Sequence, residues 1–202
     1  SILIQVCERA SRVSQLPKVP MPRAATITRG RLTITFSGVY NTSNGVSCNL
    51  TGTAHWDDSG LHTEGENYCA TGEDFIGVTW SGSFTAKSHS ISGKNQLGGA
   101  LTIYNSDSTP NAGRVWSFKD SNPTSKYTLY AKDINLNVNI SKNTLTGNGN
   151  TAEAVLKYIH TYSKVKGSIS ITPGSETVAG SFSLSNTDRQ WSLVCTVTNI
   201  PY

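Results

Sequence analysis

Leu32-Thr33-Ile34-Thr35-Phe36-Ser37 sets the fold, with apolar side chains at 32, 34 and 36 alternating with hydroxyl side chains at 33, 35 and 37. A period of two sends successive side chains to opposite sides of an extended chain, so this stretch predicts a strand with one dry and one wet face. Similar short runs predict strands near 76–85, 100–104, 114–118, 127–140, 167–172, 180–184 and 190–198. Asn44-Gly45, Pro110-Asn111, Asn122-Pro123 and Pro173-Gly174 punctuate them as turns. The chain therefore reads as all-β, an antiparallel meander forming a β-sandwich or a barrel.

Two segments depart from that period. Over residues 2–16, Leu3, Val6, Cys7, Ala10 and Val13 fall at helical spacing before Pro17, Pro20 and Pro22 stop any helix. Residues 1–24 are thus expected to form a short N-terminal helix and a proline-containing connector, and 25–202 a single β domain. In the second segment, 150–162, Val155, Leu156, Ile159 and Tyr162 share a helical face, yet Tyr158, Ile159, Thr161 and Tyr162 favour strands. Its periodicity leaves helix and strand open.

Composition agrees with a strand-rich domain. Of 202 residues, 36% are hydrophobic and 15% charged, both below the averages of about 45–50% and 25%. Ser, Thr, Asn and Gly fill the difference, which suits half-wet strands and their turns better than helices. Four Trp, eight Tyr and five Phe supply a core and exclude a disordered chain. A net charge of +4 with scattered basic residues lacks the clustered footprint of a nucleic-acid groove, so no nucleic-acid partner is expected. No apolar run reaches the length of a transmembrane helix, and none is expected.

Cys7, Cys48, Cys69 and Cys195 form no CxxC pair and have no histidine at zinc-ligand spacing, so they predict no metal site. Two disulfides are the expected use. Among three connectivities, Cys48 with Cys69 is the most local closure, leaving Cys7 to join Cys195 and place the chain outside the cytoplasm: secreted, periplasmic or at the cell surface. The alternative is four buried free thiols. The sequons Asn41-Thr42-Ser43, Asn49-Leu50-Thr51 and Asn139-Ile140-Ser141 are compatible with export. A recurring aliphatic-small-glycine triplet (Leu50-Thr51-Gly52, Ile91-Ser92-Gly93, Leu145-Thr146-Gly147, Val178-Ala179-Gly180) reads as a reused bulge or bend, or as chance in a glycine-rich chain.

No catalytic motif is present: there is no Gly-x-Ser-x-Gly, phosphate loop or dinucleotide fingerprint, and no catalytic residue, cofactor or metal is assigned. The densest polar cluster runs from His55 to Glu64, with His55, Asp57, Asp58, His62 and Glu64 around Trp56. Two imidazoles and three carboxylates suit a divalent metal or acid-base chemistry, but neither use has a matching motif, and a solvated turn uses the same residue types. Trp56, beside Asp57-Asp58 at a strand end, is expected to be exposed, as is Tyr40 at a loop edge. Trp80 and Trp191 are expected inside.

The preferred function is a secreted or surface recognition module, non-catalytic, binding a glycan or a protein through Trp56, Asp57, Asp58, His55, His62, Glu64 and Tyr40. One alternative is a lipocalin-like barrel carrying a small apolar ligand, which requires a closed apolar cavity of roughly 300 Å³ or more. Another is a hydrolase, which requires His55 or His62 to meet Asp57, Asp58 or Glu64 within a cleft. A structural role as a coat or assembly subunit fits the same composition.

Overall fold

The computed structural model describes residues 24–43, 45–57, 65–147, 149–164, 167–185 and 189–201. The expected N-terminal helix and Cys7 lie outside these residues, as do Asp58, His62 and Glu64. Among the described residues there are thirteen strands and no helix. No described helix is long and apolar enough to cross a membrane.

In chain order the strands are β1 (Ala25–Arg29), β2 (Leu32–Asn41), β3 (Val46–Trp56), β4 (Asp74–Trp80), β5 (Thr85–Asn95), β6 (Ile103–Thr109) and β7 (Gly113–Phe118). There follow β8 (Ser121–Pro123), β9 (Thr128–Lys142), β10 (Thr151–Thr161), β11 (Ile169–Thr172), β12 (Ser181–Leu184) and β13 (Gln190–Pro201). One sheet runs β1-β2-β3-β9-β5 with β8 beside β9, a second runs β13-β10-β4-β7-β6, and β11-β12 form a separate hairpin. Every pairing is antiparallel, and neither large sheet closes into a barrel.

The alternation at 32–37 is realised: Leu32, Ile34 and Phe36 are fully buried, and their hydroxyl neighbours face outward. β3 follows the same rule, burying Val46, Cys48, Leu50, Ala54 and Trp56, and β9 buries Ile134, Leu136, Val138 and Ile140. These residues share one core with Ile76, Val78 and Trp80 of β4, Leu156 and Tyr158 of β10, and Trp191 and Val197 of β13. Burial of two facing apolar sides is the main favourable term in such an arrangement.

The outward side of the first sheet is nearly all hydroxyl and amide. Cross-strand rows such as Thr35, Thr53, Asn135 and Ser92 lie in register, and Thr51 donates to Asn137 at 2.8 Å.

The undecided segment 150–162 is the central strand β10, between β4 and β13. Ala152, Ala154, Leu156, Tyr158 and His160 alternate toward the shared core. Ile159 points the other way and is buried with Phe75, Val115, Phe182 and Leu184 beneath the β11–β12 hairpin. A strand covered on both faces carries apolar residues at both parities, which is why its pattern also resembled a helical face.

The stretch 76–85 is divided between two strands by a turn after Trp80, and β6 begins later than its expected position. The recurring triplets share no structural role. Gly52 lies inside β3, where a Cβ would stand 3.0 Å from Leu156 Cδ1, whereas Gly147 has φ +68° outside any strand.

The Cys48–Cys69 bridge is not formed: Cys48, Cys69 and Cys195 are buried free thiols. Cys48 pairs with Tyr40 at one end of the β2–β3 ribbon, whereas Trp56 pairs with Leu32 at the other. Eight residues of strand separate Cys48 from Trp56, about 26 Å at 3.3 Å per residue. The excursion after Trp56 returns Cys69 beside Asp120 and Asp74, far from Cys48. The partner proposed for Cys195 was Cys7, which lies outside the described residues.

Candidate functional site

Of the expected site residues, the structure describes four and scatters them. Trp56 is 1% exposed, contrary to the expectation of a surface indole. Its even position in β3 places it on the same side as Leu50 and Ala54, while odd-numbered His55 points outward. His55 Nδ1 meets Asp133 across the sheet at 2.7 Å, and Asp57 pairs with Arg31 at 3.3 Å, so these two cluster residues turn to different partners. Tyr40 is half-buried against the core at the far end of the ribbon.

What the fold assembles instead is a polar network under Trp56. The indole Nε1–H donates to the Tyr158 hydroxyl at 3.1 Å, and that hydroxyl donates to Asp74 Oδ2 at 2.6 Å. Asp74 Oδ1 accepts the Thr161 backbone N–H at 2.8 Å. His160 Nδ1 stands 3.0 Å from Asp74 Oδ2 and 3.3 Å from Asp120 Oδ2, and Asp120 Oδ2 also accepts the Ala70 N–H at 3.1 Å. Asp74, Asp120 and His160 are all 0% exposed.

Electrostatics follow from that burial. Desolvation alone would lower the His160 pKa, but the charge of Asp74, the hydrogen bonds to Asp120 and Asp74, and the charge of Asp120 lift it to about 10. Burial first, and then the Asp74 charge, push Asp120 well above the usual carboxylate range. Burial and both carboxylates likewise raise the Cys69 thiol. One buried carboxylate thus favours its neutral form while the imidazole favours its charged one, which limits uncompensated charge in the interior.

Beside this network a groove of about 320 Å³ opens to the surface. Asn95, Leu101, Thr102, Tyr104, Asn122, Leu129, Tyr130 and Ala131 line it, with Glu73 and Lys119 contributing opposite charges. Glu73 and Lys119 directly precede the buried Asp74 and Asp120. The Ala131 N–H donates to the Asp120 carbonyl at 2.8 Å, and Thr161 Oγ1 donates to the Glu73 carbonyl at 3.0 Å. Groove and network therefore share their backbone.

The rim is built locally. Asn95 Oδ1 accepts the backbone N–H groups of Leu97 at 3.0 Å and Gly99 at 2.9 Å, while Gly98 takes φ +84°, a conformation favoured by glycine. Gln96 clamps this turn to β9: its amide donates to the Thr128 carbonyl at 2.8 Å and its oxygen accepts the Tyr130 N–H at 2.9 Å. Tyr104, on edge strand β6, is 61% exposed. None of these groove residues stands out by a motif; Asn95 to Gly99, an Asx-type turn sequence, was the one local signal.

No family profile matches the chain, and no curated protein matches it. Among solved structures, Clostridium perfringens delta-toxin is similar at 8% identity and TM-score 0.40, over 88% of this chain and 87% of that one. A second, described as "AvmM Catalyzes Macrocyclization in Alchivemycin A Biosynthesis", is similar at 14% identity and TM-score 0.27, over 87% and 95%. At these scores neither neighbour bears on the chemistry of this chain.

Proposed function

We propose that this chain is a non-catalytic recognition module that binds a glycan in the groove edged by Tyr104. The groove itself carries the proposal: an open concavity with an exposed aromatic, amide and hydroxyl groups from Asn95, Thr102 and Asn122, and an apolar base from Leu101 and Leu129. An aromatic face covers the apolar side of a sugar ring, while amides and hydroxyls exchange hydrogen bonds with its rim. Lys119 and Glu73 give the site one charge of each sign, suited to a ligand that is mostly neutral and richly hydroxylated.

The carrier alternative required a closed apolar cavity inside a barrel, and the sheets are open around a core filled by Trp56, Trp80, Tyr158 and Phe36. For the hydrolase alternative, His55 pairs with Asp133 on the open sheet surface and Asp57 with Arg31, while Asp58, His62 and Glu64 lie outside the described residues. With Cys48, Cys69 and Cys195 unbonded, sulfur no longer supports export. The proposal rests on the groove in whatever compartment its ligand is met.

A glycan array probed with the wild-type chain and with Tyr104→Ala tests it. Retention of a related set of glycans by the wild type, lost in the variant, is the expected result. No retention, or equal retention by both, overturns it.

A further inference from the structure

The groove leaves unused the trio Asp74, Asp120 and His160. Each offers one ligand atom, and the three atoms lie within 4.8 Å of one another. All three residues are fully buried, and there, among the described residues, only the His160 imidazolium offsets carboxylate charge, a role that a bound cation would take over.

Two observations separate this trio from an ordinary acidic cluster. The first is Asp120 Oδ1, which is buried and has no hydrogen-bond partner among the described residues, although the other oxygen of the same carboxylate has two. An orphaned buried carboxylate oxygen is a costly feature to retain without a ligand. The second is the orientation of His160. Its Nε2 lies 3.3 Å from the Gly65 carbonyl oxygen. A carbonyl only accepts, so Nε2 carries a proton, and Nδ1, whose own N–H faces both carboxylates in the metal-free chain, is the nitrogen that would release its proton to an incoming ion. Metal-bound histidines are held by this same pairing of the remote ring N–H with a backbone carbonyl.

From this arrangement we propose that Asp74, Asp120 and His160 bind one divalent transition-metal ion of the zinc class, in a buried site with these three protein ligands. One imidazole nitrogen with two carboxylate oxygens suits zinc, whereas calcium takes six to eight oxygen ligands. The ion fastens three distant segments, at Asp74, Asp120 and His160, and with them the backbone on which Glu73 and Lys119 sit. A site this enclosed loads as the chain folds, so stability is its natural readout.

The test uses the full chain, unfolded, freed of metal by chelator and refolded with or without Zn²⁺, with Ca²⁺ in a parallel arm. Native mass spectrometry gives the stoichiometry and thermal melting gives the stability. One retained Zn²⁺ per chain, a raised Tm and no effect of Ca²⁺ are expected. Asp120→Asn, which keeps the side-chain shape, is expected to weaken binding by upwards of about 100-fold, the upper end of what losing a supporting partner costs. His89→Ala, which removes a surface imidazole, is expected to leave binding unchanged. A wild-type chain that refolds fully with no bound Zn²⁺ and an unaltered Tm overturns the proposal, whether or not Asp120→Asn folds. Retention in which Asp120→Asn binds as tightly as wild type also overturns it, since the metal then sits elsewhere. Glycan binding is not read in this experiment, so its failure leaves the groove proposal separate.

Discussion

Trp56 and Tyr158 tie the two sheets together: the indole on β3 donates to the phenol on β10 at 3.1 Å, with the rings edge to face at 6.4 Å and 75°. The phenol O–H in turn donates a hydrogen bond to Asp74 at 2.6 Å, so one hydroxyl serves two buried partners.

Tyr158→Phe removes that hydroxyl and keeps the ring. It leaves the Trp56 N–H without its acceptor and takes one donor from Asp74, at a cost of about 1–3 kcal/mol. Urea unfolding is expected to show a lower midpoint with an unchanged slope. A midpoint equal to wild type would mean that the hydroxyl contributes no stability.

The outward pair His55 and Asp133 is the opposite case. Its side chains are 49% and 47% exposed, and water screens the pair despite a 2.7 Å separation. Asp133→Asn is expected to change stability by no more than about 1 kcal/mol. The contrast with Tyr158→Phe, measured under one set of conditions, shows whether burial sets the weight of a polar contact here.

Burial lifts the Cys48 pKa from 9.0 to about 12. The folded chain therefore holds its proton where the unfolded chain has lost it, and stability falls as pH rises from about 9 toward 12. At pH 8 the native chain is expected to resist iodoacetamide at Cys48, Cys69 and Cys195, all buried, and to react at all three in denaturant. A mass two units low after denaturation without reductant, localised by peptide mapping to a Cys48–Cys69 linkage, would contradict the unbonded assignment.

Gly72 packs against β10, where a Cβ would stand 2.4 Å from the Thr161 carbonyl oxygen and 2.1 Å from Oγ1. Gly72→Ala must displace the backbone whose N–H serves Asp74, and a loss of more than about 1 kcal/mol is expected from overpacking alone. Thermal melting within a degree of wild type would show that this segment yields freely.

The strand character of the chain was legible because β2, β3 and β9 each bury one face, so alternation survives in the residue order. The same alternation, continued from Leu50 through Ala54, would have placed Trp56 inside. Neighbouring Asp57 and Asp58 drew it outward, since a local polar cluster looks like surface whatever the parity. β10 was ambiguous for a physical reason, being covered on both sides. Apart from the Asn95–Gly99 turn, the groove and the buried trio had no readable signature. Their members come from segments near 73, 95–104, 119–131 and 160, brought together by sheet pairing between strands distant in the chain. Proximity in sequence made the His55–Glu64 cluster conspicuous, while spatial assembly made Asp74, Asp120 and His160 a cluster.

The most direct measurement is a set of binding isotherms for the glycan best retained on the array, with wild type, Tyr104→Ala and Lys119→Ala compared at equal concentrations. If Tyr104 stacks on the sugar, its removal costs at least about 1 kcal/mol, or roughly fivefold or more in Kd, while both variants melt as wild type does. Superimposable isotherms for all three proteins would contradict recognition in this groove.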